Sequence, residues 1–320
     1  MADQADTLRK LMQQRESAEA SVEVPEIENP KTGPIVISVA SGKGGVGKSC
    51  LVANLATALA HAQVRVMVVD CDYGLANLDI LFGVQAEATV DQVLAGEARM
   101  QDALVGVGPN LWLLPSASGV LRARTRNWSE RERVLAMLEG CPWEMDVILL
   151  DAGAGIHDSV LNLHSPSFRS LLVVTPEPTS LADGYALIKK LRQVSGTARF
   201  EVVVNQVQDA REAQAVYQKL RDTASRFLGV EVSYLGHLAR DEKIAQSVRK
   251  RKILVDWEPG AAFSKCIGLI SRRIQRDLGI GMEGDVSGVG LSRFREEPAH
   301  DAPGNVAKAF FKPLLGEVNA

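Results

Sequence analysis

Gly42, Gly47, Lys48 and Ser49 stand at the spacing GxxxxGK(S/T) within IVISVASGKGGVGKSCLVANL, residues 35–55. Glycines let backbone N–H groups turn inward onto anionic oxygens, and a helix N-terminus behind them adds the positive end of its dipole. With Lys43, Gly44, Gly45, Val46 and Cys50 completing the loop, the stretch reads as a cradle for the phosphates of a nucleoside triphosphate. In such a cradle Lys48 reaches the β- and γ-phosphates, and the Ser49 hydroxyl ligates Mg²⁺. Two later apolar runs end in carboxylates: VRVMVVDCD at Asp70 and Asp72, and VILLDAGAGI at Asp151. Carboxylates at the C-terminal ends of parallel strands lie on the sheet edge where α/β proteins bind ligands. Asp151 is placed to hold Mg²⁺, directly or through water, and Asp72 to orient an attacking water. An aspartate closing a strand can equally cap the next turn or helix, and the sequence leaves that alternative open.

These residues need a scaffold, and the apolar pattern supplies one. Ile35–Ala40, Val64–Val69, Val147–Leu150, Leu171–Val174, Val202–Val204 and Val230–Leu235 are short runs of Val, Ile and Leu, as expected of strands buried on both faces. Helical patterns lie between them at Val46–Ala62, Glu130–Leu138, Leu181–Val194, Ala210–Phe227 and Ala261–Leu278. The alternation predicts a single main domain over residues 35–280, a doubly wound α/β fold with a mostly parallel sheet flanked by helices.

Lys43 makes the loop more specific than a general phosphate cradle. Gly42-Lys43-Gly44-Gly45-Val46-Gly47-Lys48-Ser49 resembles the deviant Walker A motif of the MinD/ParA family of P-loop ATPases. The similarity continues through DCDYGLANLDILFG (Asp70–Gly83), LLPSASG (Leu113–Gly119), DAGAGI (Asp151–Ile156) and VTPEPTSLADGYALIK (Val174–Lys189). It implies a slow, Mg²⁺-dependent ATPase acting as a switch, in which two subunits sandwich ATP and Lys43 reaches into the partner's nucleotide. Asn205 matches a position that contacts adenine in the family, although a buried Asn can also simply hold a turn. Ala152 departs from the family's usual threonine and removes a hydroxyl near the metal. Cys71 and Tyr73 are unusual beside Asp72, and Ala239 replaces a proline.

The order of motifs is most similar to the FlhG (FleN) group, regulators of flagellar number and placement. Asp3-Gln4-Ala5-Asp6-Thr7-Leu8-Arg9 matches that group's DQAxxLR segment, which implies that residues 1–20 form a helix activating the SRP-type GTPase FlhF. Gln4, Leu8 and Arg9 are then the partner-binding residues. The resemblance further implies a homodimer, and a flagellar C-ring protein or transcription regulator as partner. Division-site placement, DNA or cargo partition, and an ATP-binding scaffold with little hydrolysis are the alternatives.

Between leader and domain, residues 21–34 carry Pro25, Pro30 and Pro34 with Glu23, Glu26 and Glu28, the composition of an extended linker. Residues 281–305 are Gly-rich and polar, the mark of a flexible connection. In residues 306–320, Phe310, Phe311, Leu314 and Leu315 flanked by Lys308 and Lys312 suit an amphipathic tail on the membrane surface, or packed on the core. Arg249-Lys250-Arg251-Lys252 reads as a solvated face or as a site for anionic lipid, an acidic partner or, least of these, DNA.

Composition closes other routes. The 36 Lys+Arg against 39 Asp+Glu give a net charge of −3, which excludes a globally basic nucleic-acid binder. Cys50, Cys71, Cys141 and Cys266 and the five histidines are dispersed, so no transition-metal site is expected. The polar N-terminus lacks a secretory pattern, so a cytosolic protein is expected, and the resemblance together with the tail implies reversible association at the inner membrane face.

Overall fold

The computed structural model describes residues 34–72, 77–94, 96–116, 145–156, 160–161, 164, 169–277 and 279. Gln4, Leu8, Arg9, the linker to residue 33, Tyr73, the expected helix 130–138, the connection 281–305 and the tail 306–320 lie outside these residues.

All six expected strands form: β1 (Ile35–Ser41), β2 (Val66–Cys71), β5 (Val147–Ala154), β6 (Arg169–Val174), β7 (Arg199–Val207) and β8 (Glu231–Ala239). Two more, β3 (Val105–Gly108) and β4 (Leu111–Leu114), make a hairpin that periodicity does not reveal. VGVG alternates its β-branched residues with glycine, and LWLL is only one turn of a buried helix in length. The sheet order is β3-β4-β2-β5-β1-β6-β7-β8, parallel throughout except between β3 and β4. Ile35, Val147, Val66 and Leu111 stand in one row across β1, β5, β2 and β4.

Helices cover both faces: α1 (Lys48–His61), α2 (Leu78–Phe82), α3 (Val90–Leu94), α4 (Met100–Ala103), α5 (Pro178–Ser195), α6 (Ala210–Leu228), α7 (Lys243–Arg249), α8 (Leu254–Trp257) and α9 (Ala262–Asp277). Successive strand side chains alternate between two apolar layers. Ile37, Val39, Val66 and Val68 meet Leu51, Leu55 and Leu59 of α1 and Ile267 of α9. Val36, Ala40, Met67 and Val69 share the other layer with Leu187 and Leu191 of α5 and Leu220 of α6. Burial on both faces is why these strands read as continuous apolar runs. Leu55 is fully buried in its layer, so truncation to alanine costs about 2–5 kcal/mol. Among the described residues no helix is long and apolar enough to cross a membrane.

One polar cluster interrupts the layers. His164 is buried between β1 and β6, with Nε2 3.1 Å from Ser38 Oγ and Nδ1 3.0 Å from Ser170 Oγ. Burial without a carboxylate partner lowers its pKa to about 3. The unfolded chain takes up a proton near pH 6.5 and the folded chain does not, so this group's contribution falls as pH drops from about 6.5 towards 3. The unfolding free energy of wild type relative to His164→Gln, which cannot titrate, is expected to fall by about 2 kcal/mol between pH 7 and pH 5. Denaturant melts of both proteins at the two pH values check this. A constant difference would mean that the imidazole takes up its proton in the fold as it does in the unfolded chain.

Candidate nucleotide site

The loop between β1 and α1 is held open by its neighbours. Gly47 ends it in the left-handed region, with φ 89° and ψ 22°, where a side chain is strained. A Cβ there would also stand 2.4 Å from Asn205 Nδ2. At the other end of the loop, a Cβ on Gly42 would stand 2.3 Å from the Asp183 carbonyl carbon on α5. The loop is therefore wedged between the end of β7 and the first turns of α5. Asn205 donates from Nδ2 to the Val46 carbonyl at 2.7 Å, and its Oδ1 accepts from the Gln206 amide at 2.7 Å. Leu51 N–H bonds to Gly47 O at 3.0 Å, the first helical bond of α1. The amides of Gly47, Lys48, Ser49 and Cys50 thus have no intrahelical partner and suit an anion.

Register brings the acids to the same place. Asp151 on β5 pairs with Val39 on β1 and with Asp70 on β2. Lys48 donates from Nζ to Asp151 Oδ1, and both residues are buried. Asp70 takes the capping role that sequence leaves open. Its Oδ1 accepts from the Asp72 amide at 3.0 Å, and its Oδ2 from the amides of Asn77 and Leu78 at 3.2 and 3.3 Å, at the start of α2. Burial, then the Asp151 charge, pushes the Asp70 carboxyl up to about 7 against these amides and Lys48. Among the described residues no hydrogen bond commits the Asp72 carboxylate, whose Oδ1 lies 3.6 Å from where a Cβ on Gly153 would stand. Burial, then Asp151, also raises the Cys50 thiol, which disfavours a reactive thiolate.

Lys43 sits at the outer lip, half-exposed, and donates from Nζ to Glu177 Oε2 at 2.7 Å and to Thr179 Oγ1 at 3.1 Å. Glu177 is the N-cap residue of α5. Neither partner is found by reading for chemistry, although both stand in the VTPEPTS stretch that opens this helix. An exposed pair of this kind is worth about 1 kcal/mol at most, so Lys43 is easily released. Ala152 is fully buried in the apolar layer that also holds Cys71 and Val160.

The donor set suits a hard divalent cation. Two buried acids, Asp70 and Asp151, lie with the part-buried Asp72 beside a single buried ammonium, and burial first, then the Asp151 charge, holds Asp70 near 7. Among the described residues no three acidic, His or Cys side chains are close enough to hold a metal alone. Ser49 Oγ and ligand phosphates must complete such a shell, as is usual for Mg²⁺.

The CobQ/CobB/MinD/ParA nucleotide binding domain family matches residues 37–255. The antiactivator FleN of Pseudomonas aeruginosa is 35% identical over 240 residues, 75% of this chain and 85% of that protein. The flagellum site-determining protein YlxH of Helicobacter pylori is 32% identical over 298 residues, 90% of this chain and 94% of that protein. The septum site-determining protein MinD of Pyrococcus horikoshii, solved with Mg-ADP, matches with a TM-score of 0.64 at 25% identity, over 78% of this chain and 99% of that chain.

Two substitutions separate binding from loop support. Lys48→Ala removes the ammonium and is expected to weaken nucleotide binding about a hundredfold or more by titration calorimetry. Retained micromolar affinity would contradict the phosphate assignment. Asn205→Ala leaves the buried Val46 carbonyl without its donor and is expected to cost about 1–3 kcal/mol of stability, read as a lower melting temperature.

Proposed function

Because the chain belongs to the CobQ/CobB/MinD/ParA nucleotide-binding family, and within it to the FlhG/FleN group of MinD/ParA ATPases, we propose that it is a slow, ATP-driven dimerising switch regulating flagellar number and placement. The observation that carries this reading is the pair of lysines at one glycine cradle: Lys48 buried against Asp151, and Lys43 half-exposed on a weak tether. One ammonium serves its own subunit's phosphates. The other is free to serve a partner's.

The chain's residues divide the work of cleaving ATP. The loop amides from Gly42 to Cys50 and Lys48 Nζ hold the triphosphate, Lys48 exchanging Asp151 for phosphate oxygens. Ser49 Oγ and Asp151 hold Mg²⁺, which supplies charge neutralisation to the phosphates when bound. Asp72 accepts a hydrogen bond from the attacking water and aims it at the γ-phosphorus. A P–O bond forms to that water's oxygen, the β–γ bridging P–O bond breaks, its electron pair leaves with ADP, and the water's proton passes to an oxygen of the phosphate released. Asp70 fixes the backbone around Asp72 through the 3.0 Å amide bond. Asn205 lies against the loop where the adenine side of the nucleotide begins. Loss of the γ-phosphate removes the ligand for Lys43, and the two subunits part.

The outputs follow the relatives. The names of FleN, an antiactivator, and YlxH, a flagellum site-determining protein, support a flagellar transcription regulator or C-ring protein as partner. Gln4, Leu8 and Arg9 engage an FlhF-like GTPase. The 306–320 tail gives the ATP-bound dimer two weak membrane contacts, with avidity that a monomer lacks.

Lys43→Ala is expected to bind nucleotide as wild type does, yet to remain monomeric with a non-hydrolysable ATP analogue in size-exclusion light scattering. A dimer in that variant would contradict the two-lysine switch. Deleting residues 1–20 should spare ATPase activity and remove stimulation of the FlhF-like GTPase. Undiminished stimulation would take that role from the leader.

A further inference from the structure

The four-cation run is built into a groove. On the α1 face of the sheet a cleft of about 510 Å³ opens between the end of α1, the β3–β4 hairpin and the loop from α7 to α8. Phe82, Val107, Pro109, Leu111 and Trp257 form its apolar floor. Arg251 and Lys252 rim it, both exposed. Arg251 holds φ at 51°, a conformation unusual for a side-chain-bearing residue, and Gly83 leaves room for its carbonyl. Lys250 Nζ lies 4.3 Å from the centroid of the Trp257 ring. Asp256, the only carboxylate among the described lining residues, is taken by His61 at 3.0 Å. Among the described residues Arg251 and Lys252 pair with no acid.

An aromatic floor beside unpaired cations selects its occupant. A bilayer cannot follow a concave floor, and a duplex gains nothing from an apolar one. A proline-containing acidic segment fits both surfaces, because aromatic grooves take polyproline II helices and the rim takes carboxylates. Residues 22–30, VEVPEIENP, have that chemistry. At three residues per turn, Val24, Ile27 and Pro30 fall on one edge and Glu23 and Glu26 on the next. The reach is also right. Ile35 stands in the same row as Leu111 on the groove floor, three strand spacings or about 14 Å away. The seven residue-to-residue steps from Ile27 to Pro34 span about 22 Å in polyproline II.

We infer that the chain's own segment Val22–Pro30 docks in this groove, with Val24, Ile27 and Pro30 on the apolar floor and its glutamates facing Arg251 and Lys252. The consequence is that the leader leaves the ATPase core from a fixed point beside α1.

Hydrogen exchange by mass spectrometry on the full chain tests the docking. Ile27→Asp, and separately Arg251→Glu with Lys252→Glu, are expected to speed exchange about fivefold or more in peptides covering 22–29, 107–111 and 250–257. The loop 42–50 should stay unchanged as the control for folding. Adding Glu23→Lys and Glu26→Lys to the doubly reversed rim should restore protection. Unchanged groove exchange in Ile27→Asp would overturn the proposal. So would protection that disappears on dilution, which would make a second copy the occupant. Binding to phosphatidylglycerol vesicles that needs Arg251 and Lys252 but ignores Ile27 would also overturn it, in favour of a membrane surface.

Discussion

Everything at the site depends on the contact between Lys48 and Asp151. Two opposite charges are taken almost wholly out of water, at a desolvation cost that their attraction roughly balances. Removing either partner alone leaves a buried charge and costs about 3–5 kcal/mol. An arrangement so expensive to break and so modest in net stabilisation is poor as a staple. It is well suited to exchange, because a triphosphate can replace the carboxylate without leaving the ammonium unpaired. Asp70 records the same tension, its carboxyl lifted to about 7 because burial and Asp151 together exceed what Lys48 and two nearby amides return.

The fold meets this demand by geometry. Parallel strands deliver Asp70 and Asp151 to adjacent positions of one register, and Val39 brings the start of the loop beside them. The loop then has little freedom, since Asp183 closes against Gly42 and Asn205 against Gly47. Its amides are set before any ligand arrives. Lys43 is the exception. Its tether to Glu177 and Thr179 is solvated and therefore weak. One lysine is thus costly to move and the other cheap, which matches a cradle that must be rigid within a subunit and adjustable between two.

How much of this the sequence disclosed follows from which interactions are local. The loop was legible because Gly42, Gly47, Lys48 and Ser49 lie within eight positions, and the chemistry demands that spacing. The six strands were legible because burial on both faces leaves an unbroken apolar run. The hairpin β3–β4 was not, since VGVG has glycine at every second position and too few apolar side chains to stand out, and its stability comes from pairing with β4. The division of labour between Asp70 and Asp72 was also hidden. Both end the same run, and only the position of α2's first amides decides which carboxylate caps and which stays free. Asn205 showed itself as a polar residue closing a strand, but its bond to Val46 spans 159 positions and no local pattern encodes it. Glu177 and Thr179 were similarly invisible, because their partner is a surface lysine more than 130 positions away.

Arg249–Lys252 shows why a charge run needs its surroundings before it can be read. As a string it is indistinguishable from a solvated face. In the fold, Lys250 stacks on Trp257, while Arg251 and Lys252 rim an apolar floor and, among the described residues, pair with no acid. A cation left unpaired on open surface costs nothing, because water solvates it fully. At the rim of an apolar groove the same cation still faces water, but an occupant that covers the floor must also satisfy the rim. That requirement excludes most apolar ligands and most anionic ones. What remains is a segment that alternates the two characters at a period of three, and Val22–Pro30, a few residues ahead of β1, is of that kind.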